Sequence, residues 1–166
     1  METEQNTKVV SAVVVIIIIL FAGYFLMSKY DRSPEEPGNL EGTEQEPVSV
    51  VVENTQKVDG VLPAPSGFPT DIPTETGAVL ESVTTSYPGQ GAKQLSLSYR
   101  SSKTVTQKYT EYKNYMTASG YQIKEGAANS PVRAIFGTKQ ESNLSVAISS
   151  SEGKTLVQLS YLLKSI

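Results

Sequence analysis

A chain of 166 residues with no Cys, no His and no Trp excludes several kinds of chemistry before any pattern is read. Disulfide frameworks, thiolate nucleophiles, lipid-bearing cysteines and cysteine-ligated metals all need Cys, while the Ser-His-Asp arrangement and most zinc sites need His. The formal net charge of −3 is uneven: residues 31–60 carry eight acids against two bases, a net of −6, and residues 61–166 carry seven acids against ten bases, a net of +3, too dilute a basic excess for a nucleic-acid interface.

Residues 1–8 are polar and read as a cytoplasmic tail. Val9 to Met27 follows, 19 residues without a charge. As a helix this run is about 28 Å long, close to the ~30 Å hydrocarbon core of a bilayer, and it exceeds a cleaved signal segment. The sequence therefore predicts a single-pass transmembrane helix over residues 9–27, retained as a signal anchor in the cell membrane. The Lys and Arg count leans slightly towards a cytoplasmic C-terminal side, with Lys8 before the run and Lys29 and Arg32 after it. The acidic stalk and the absence of cysteine suit an extracytoplasmic compartment, and the C-terminal domain is placed there. Residues 28–61 read as an acidic disordered linker, too poor in apolar side chains to offset ordering entropy. Val48 to Val52 is the one run in it that could dock on a sheet edge.

The domain is expected over residues 62–166. Prolines at 63, 65, 69 and 73 impose extended geometry on themselves and on the residues before them, so residues 62–78 read as a strap whose Phe68 and Ile72 lie on the core. Val79 to Tyr87 and Lys93 to Arg100 alternate at strand period around Tyr87-Pro88-Gly89-Gln90-Gly91. That joint reads as a turn with Pro at its second position and positive φ at Gly89. A phosphate loop is excluded at Gly89 to Lys93, because a strand and not a helix follows. Residues 104–119 switch to helical period, with Val105, Tyr109, Tyr112 and Met116 on one face, a capping box at Thr104 and Gln107, and Gly120 past the end. Four strands follow at 121–125, 132–138, 144–150 and 155–164. The expected fold is α+β, in the order β-β-α-β-β-β-β: an antiparallel sheet with one amphipathic helix on one face and a wet Ser/Thr-rich face opposite.

Gly67-Phe68-Pro69-Thr70-Asp71-Ile72-Pro73, then Gly77-Ala78, a hairpin, and a Tyr-rich helix closing on Ala118-Ser119-Gly120-Tyr121 resemble uncharacterised bacterial membrane-anchored envelope proteins that carry a GFPxDIP-type motif ahead of a small α+β domain. The resemblance covers residues 62–125 and implies the anchored architecture; it implies no activity, ligand or catalytic residue. Thr74-Glu75-Thr76 replaces the more hydrophobic stretch usual before Gly-Ala, which moves the expected strand start later.

Three side chains stand out as candidate binding residues. Tyr115 lies about 90° from the helix stripe, beside Lys108 and Glu111, where an exposed ring suits a protein or glycan contact. Asp71 in the strap lies near Glu75, two oxygen donors that make an incomplete shell for Ca²⁺. Glu81 shares the alternation of Val79 and Val83, so burial of that face would raise its pKa. No catalytic residue, cofactor or metal is assigned. The expected partners are the bilayer through residues 9–27 and an envelope protein or cell-wall polymer. The expected role is an extracytoplasmic binding or scaffolding module. A pilin-like assembly subunit is one alternative, weakened because Val9–Met27 holds no acid, and an envelope hydrolase using Glu81, Asp71 or a Tyr is another.

Overall fold

The computed structural model describes residues 49–75 and 78–164. The expected helix at Val9–Met27 and the tail before it lie outside the described residues; among those described, no helix is long and apolar enough to cross a membrane. Seven strands form one sheet: β1 Val51–Asn54, β2 Val79–Tyr87, β3 Ala92–Ser101, β4 Gln122–Glu125, β5 Val132–Lys139, β6 Ser142–Ser151 and β7 Lys154–Lys164. They pair antiparallel throughout in the order β1-β2-β3-β7-β6-β5-β4. One helix, α1 (Val105–Ala118), carries the chain from the middle of the sheet to its far edge and packs over β4, β5 and β6. The fold is α+β.

Local chemistry accounts for the elements. In β3, Leu95, Leu97 and Tyr99 alternate onto the helix side, and the register sets them opposite Tyr161, Leu159 and Val157 of β7. Leu144, Val146 and Ile148 of β6 continue the same layer. Tyr109, Tyr112 and Met116 of α1 close it from above, with Phe68 and Ile72 of the strap. Both halves of the capping box at Thr104 and Gln107 form, and Gly120 ends the helix at a φ of 77°, a conformation that costs Gly nothing sterically.

The structure corrects four readings. Val51–Asn54 pairs with β2, the docking that the Val48 to Val52 run allowed, so the folded unit begins earlier than residue 62 and takes in residues assigned to the linker. The joint after β2 is a 3-10 turn at Pro88–Gln90 whose positive φ, 57°, falls on Gly91 and not Gly89. A bulge in β2 places Val79 opposite Tyr99 and Glu81 opposite Ser98. Two residues of one strand thus answer one of the other, and Glu81 turns to the face away from the helix while Val79 stays on it. That second face is not uniformly wet, since Gln94, Ser98 and Ser160 are buried. Tyr87 donates across the strands to Gln94 at 3.0 Å, and Gln94 donates along β3 to Ser96 at 3.3 Å.

Candidate functional site

Two of the three candidate residues, Asp71 and Tyr115, meet. Ile72 is buried between Pro69 and Pro73 and pins the strap to the core, which leaves Asp71 at the surface facing the last turn of α1. The Tyr115 hydroxyl donates to Asp71 Oδ2 at 2.8 Å across 44 residues of sequence. Tyr115 is half-buried and packed against the core, so it is a shoulder residue and not the freely exposed ring expected. Lys108, expected beside it on the outer face, is buried instead.

The Asp71–Tyr115 pair stands in a cleft of about 330 Å³ bounded by the strap, the end of α1, the turn between β5 and β6, and the end of β7. Its aromatic wall is Tyr115, Tyr121 and Tyr161. The rings of Tyr115 and Tyr121 lie 6.4 Å apart at 43°, and Phe68 backs Tyr161 edge-on at 6.4 Å. Tyr121 reaches its position because β5 carries glycine beneath it: a Cβ at Gly137 would stand 2.9 Å from Tyr121 Cδ1. The Lys139 ammonium lies 5.7 Å over the Tyr121 ring, within cation–π range. Lys139 and Lys164 are balanced by Asp71 and Glu141 around the rim, which leaves no strong field of either sign.

Burial pushes the Tyr115 hydroxyl well above its ordinary value, and the Asp71 carboxylate that accepts its proton adds to the effect. Burial raises Tyr121 as well. Both shifts favour the neutral phenol over the phenolate, and the Tyr115 hydroxyl spends its proton on Asp71.

Glu81 lies elsewhere, on the opposite face of the sheet. It accepts from Ser98 Oγ at 3.0 Å, and burial raises its pKa more than that bond lowers it. Glu75 parts from Asp71: it accepts from Ser101 Oγ at 2.6 Å and faces Lys108 Nζ at 3.5 Å. The two acids do not converge, and the described residues contain no group of three potential metal ligands.

A wider cleft of about 920 Å³ opens at the other end of β6 and β7, near Glu75, Arg100, Lys103 and Lys154. Two of these charges are paired, Arg100 with Glu152 and Lys103 with Glu111. Beneath it lies a cluster that residue-type reasoning missed. The Lys108 side chain is 0% exposed, with Nζ 3.2 Å from Glu111 and 5.2 and 5.0 Å from the ring centres of Tyr99 and Tyr112. The Tyr112 hydroxyl gives its proton to the Pro73 carbonyl, so Tyr99 must be the donor in the 2.7 Å bond between the two hydroxyls. Burial alone would lower Lys108, but the Tyr99 hydroxyl and Glu111 outweigh it and hold the ammonium above its ordinary pKa. A signal was present in the sequence: Lys108 stands three residues after Val105 and four before Tyr112, inside the apolar stripe.

No family model, curated protein or solved structure matches this chain.

Proposed function

We propose that the protein is a single-pass membrane-anchored binding module of the cell envelope whose extracytoplasmic domain takes a polyhydroxylated cell-wall polymer in the Asp71–Tyr115 cleft. The observation that carries this reading is the hydrogen bond joining strap to helix at the mouth of the cleft. With the Tyr115 proton held by Asp71, the Asp71 carboxylate and the Tyr115 oxygen are fixed as acceptors for ligand hydroxyls beside two further tyrosine rings, Tyr121 and Tyr161. Aromatic faces flanked by fixed polar groups are the usual composition of a recognition site. A near-neutral rim suits a polymer rich in hydroxyls better than a polyanion. Recognition is favoured over hydrolysis because Glu81, the carboxyl with a raised pKa, lies across the sheet, and Tyr115 keeps its proton. The anchor over residues 9–27 supplies the membrane end of the tether.

The test is co-sedimentation of the full chain, in detergent, with purified insoluble cell-wall polymer. Retention by the wild type should fall about tenfold in Asp71→Asn and in Tyr121→Ala, the loss expected when one or two cooperating polar or stacking contacts worth about 1.4 kcal/mol go. Equal retention of wild type and both variants would remove the cleft from the proposal, and release of soluble fragments from the polymer would convert it into an enzyme.

A further inference from the structure

Of the eight large hydrophobic side chains exposed among the described residues, Val51 and Val52 lie in the edge strand β1 and Val50 directly precedes it, Val58 and Val61 pair with each other in the turn that follows, and Leu80 lies in the neighbouring β2. Val51 and Val52 of the edge strand β1 are 45% and 50% exposed, and Val58 is 61% exposed. The opposite edge is guarded, since β4 carries Lys124 and Glu125 in four residues. Edge strands left flat and apolar invite pairing, and charged side chains are the common protection against it. The other edge, β1, carries one charge, Glu53, beside its exposed valines.

The register determines which backbone groups of β1 are unused within the sheet. Glu53 lies opposite Thr84, and the Thr55 amide donates to the Ser82 carbonyl at 2.9 Å. The odd-numbered residues therefore direct their N–H and C=O groups into the sheet, and by the antiparallel alternation Val50, Val52 and Asn54 direct theirs outward. The chain leading into β1 is a poor candidate to fold back on them. Residues 31–47 contain Pro34, Pro37 and Pro47 with six acids, and Pro and charge are both depleted in strands. A second copy of β1 fits. Antiparallel pairing about Val51 sets Val51 against Val51 and each Val50 against the other copy's Val52. The outward N–H and C=O groups of Val50 and Val52 then meet, and Glu53 falls opposite Ser49, so no like charges oppose. An interface in which one patch meets itself across a two-fold axis is the commonest arrangement for soluble homodimers.

We propose that β1 is a self-association edge through which two copies of this chain join their sheets, antiparallel and centred on Val51. The inference is independent of what the cleft binds.

The chain has no cysteine, so single thiols report the register directly. In the full chain in detergent, light scattering should give the mass of two chains. Val51→Cys should oxidise to a covalent dimer, because its Cα atoms lie about 4.5 Å apart in a non-hydrogen-bonded pair, within disulfide reach. Val52→Cys, whose copies are diagonal at about 7–8 Å, should cross-link at least fivefold less. Val51→Lys sets two ammonium groups against each other and should weaken association at least tenfold with an unchanged circular-dichroism spectrum. A single-chain mass across the micromolar range would overturn the proposal. Equal cross-linking of the two cysteine variants, or a dimer indifferent to Val51→Lys, would do so as well, the last assigning association to another surface.

Discussion

Lys108 concentrates the conflict between burial and charge in this protein. An ammonium removed from water loses several kcal/mol of solvation unless carboxylates and aromatic faces replace it. Here Glu75, Glu111, Tyr99 and Tyr112 do so together. Lys108→Ala leaves two acids facing a void and loses the packed stem, so urea unfolding should show a loss of about 2–4 kcal/mol, moderated because both acids keep partial access to water. The group also sets an alkaline limit. Lys108, Tyr99 and Tyr112 all have folded-state pKa values above their ordinary ones, so the folded chain holds protons that the unfolded chain releases near pH ~10. The stability they provide is complete below that pH and falls as pH rises past it, which a series of urea midpoints from pH 8 upward should show as a steady decline beginning near pH ~10. Glu81 has the same sign in the acid range. Its raised pKa favours the protonated form in the fold, so that contribution is present in acid and lost as pH rises from ~4.3. Glu81→Gln should therefore have an unfolding midpoint at pH 7 equal to or above that of the wild type; a clear decrease would mean the charged carboxylate is the form the fold prefers.

At the level of elements, the cleft depends on how β5 lets the end of α1 approach the sheet. Gly137 is the contact point, because Tyr121 Cβ and Cγ would both stand 3.1 Å from an added Cβ. Those atoms sit at the root of the ring and cannot swing aside as a flexible tip would. Gly137→Ala should cost about 1–3 kcal/mol and displace Tyr121 from Tyr115, so polymer retention should fall more than the stability loss alone explains. The expected helix over 104–119, with its capping box, reappears as Val105–Ala118, since a cap and a 3.6-residue period are local properties. The strand faces were less legible where a bulge intervened. One extra residue at Leu80 inverts every assignment beyond it, and alternation alone carries no mark of where a partner strand will skip.

For the whole molecule, the sheet order places β7 between β3 and β6, so two sequence-local meanders share one core. The strap and helix close that core on one side, and the same two elements form the mouth of the cleft. The proposed anchor belongs to this scale as well. If Val9–Met27 spans a bilayer, the full chain should stay in the membrane pellet through an alkaline wash, and deletion of residues 9–27 should release it. Protease added to intact cells should remove the domain. Recovery of the intact chain in the aqueous fraction without detergent would end the anchored reading.

Properties that act within a few residues were readable from the amino-acid order: strand alternation, helix period, the cap, the proline strap with Phe68 and Ile72, and an apolar run of membrane length. Asp71 and Tyr115 could each be singled out by type, but nothing local told that 44 residues of separation would become one hydrogen bond. The same holds for Lys108, whose burial depends on Glu75 arriving from the strap, whereas the Val48 to Val52 run was legible as a candidate edge strand and needed only the edge that β2 offers. Such pairings depend on long-range packing, where the free energy of an arrangement belongs to both partners and neither segment carries it alone.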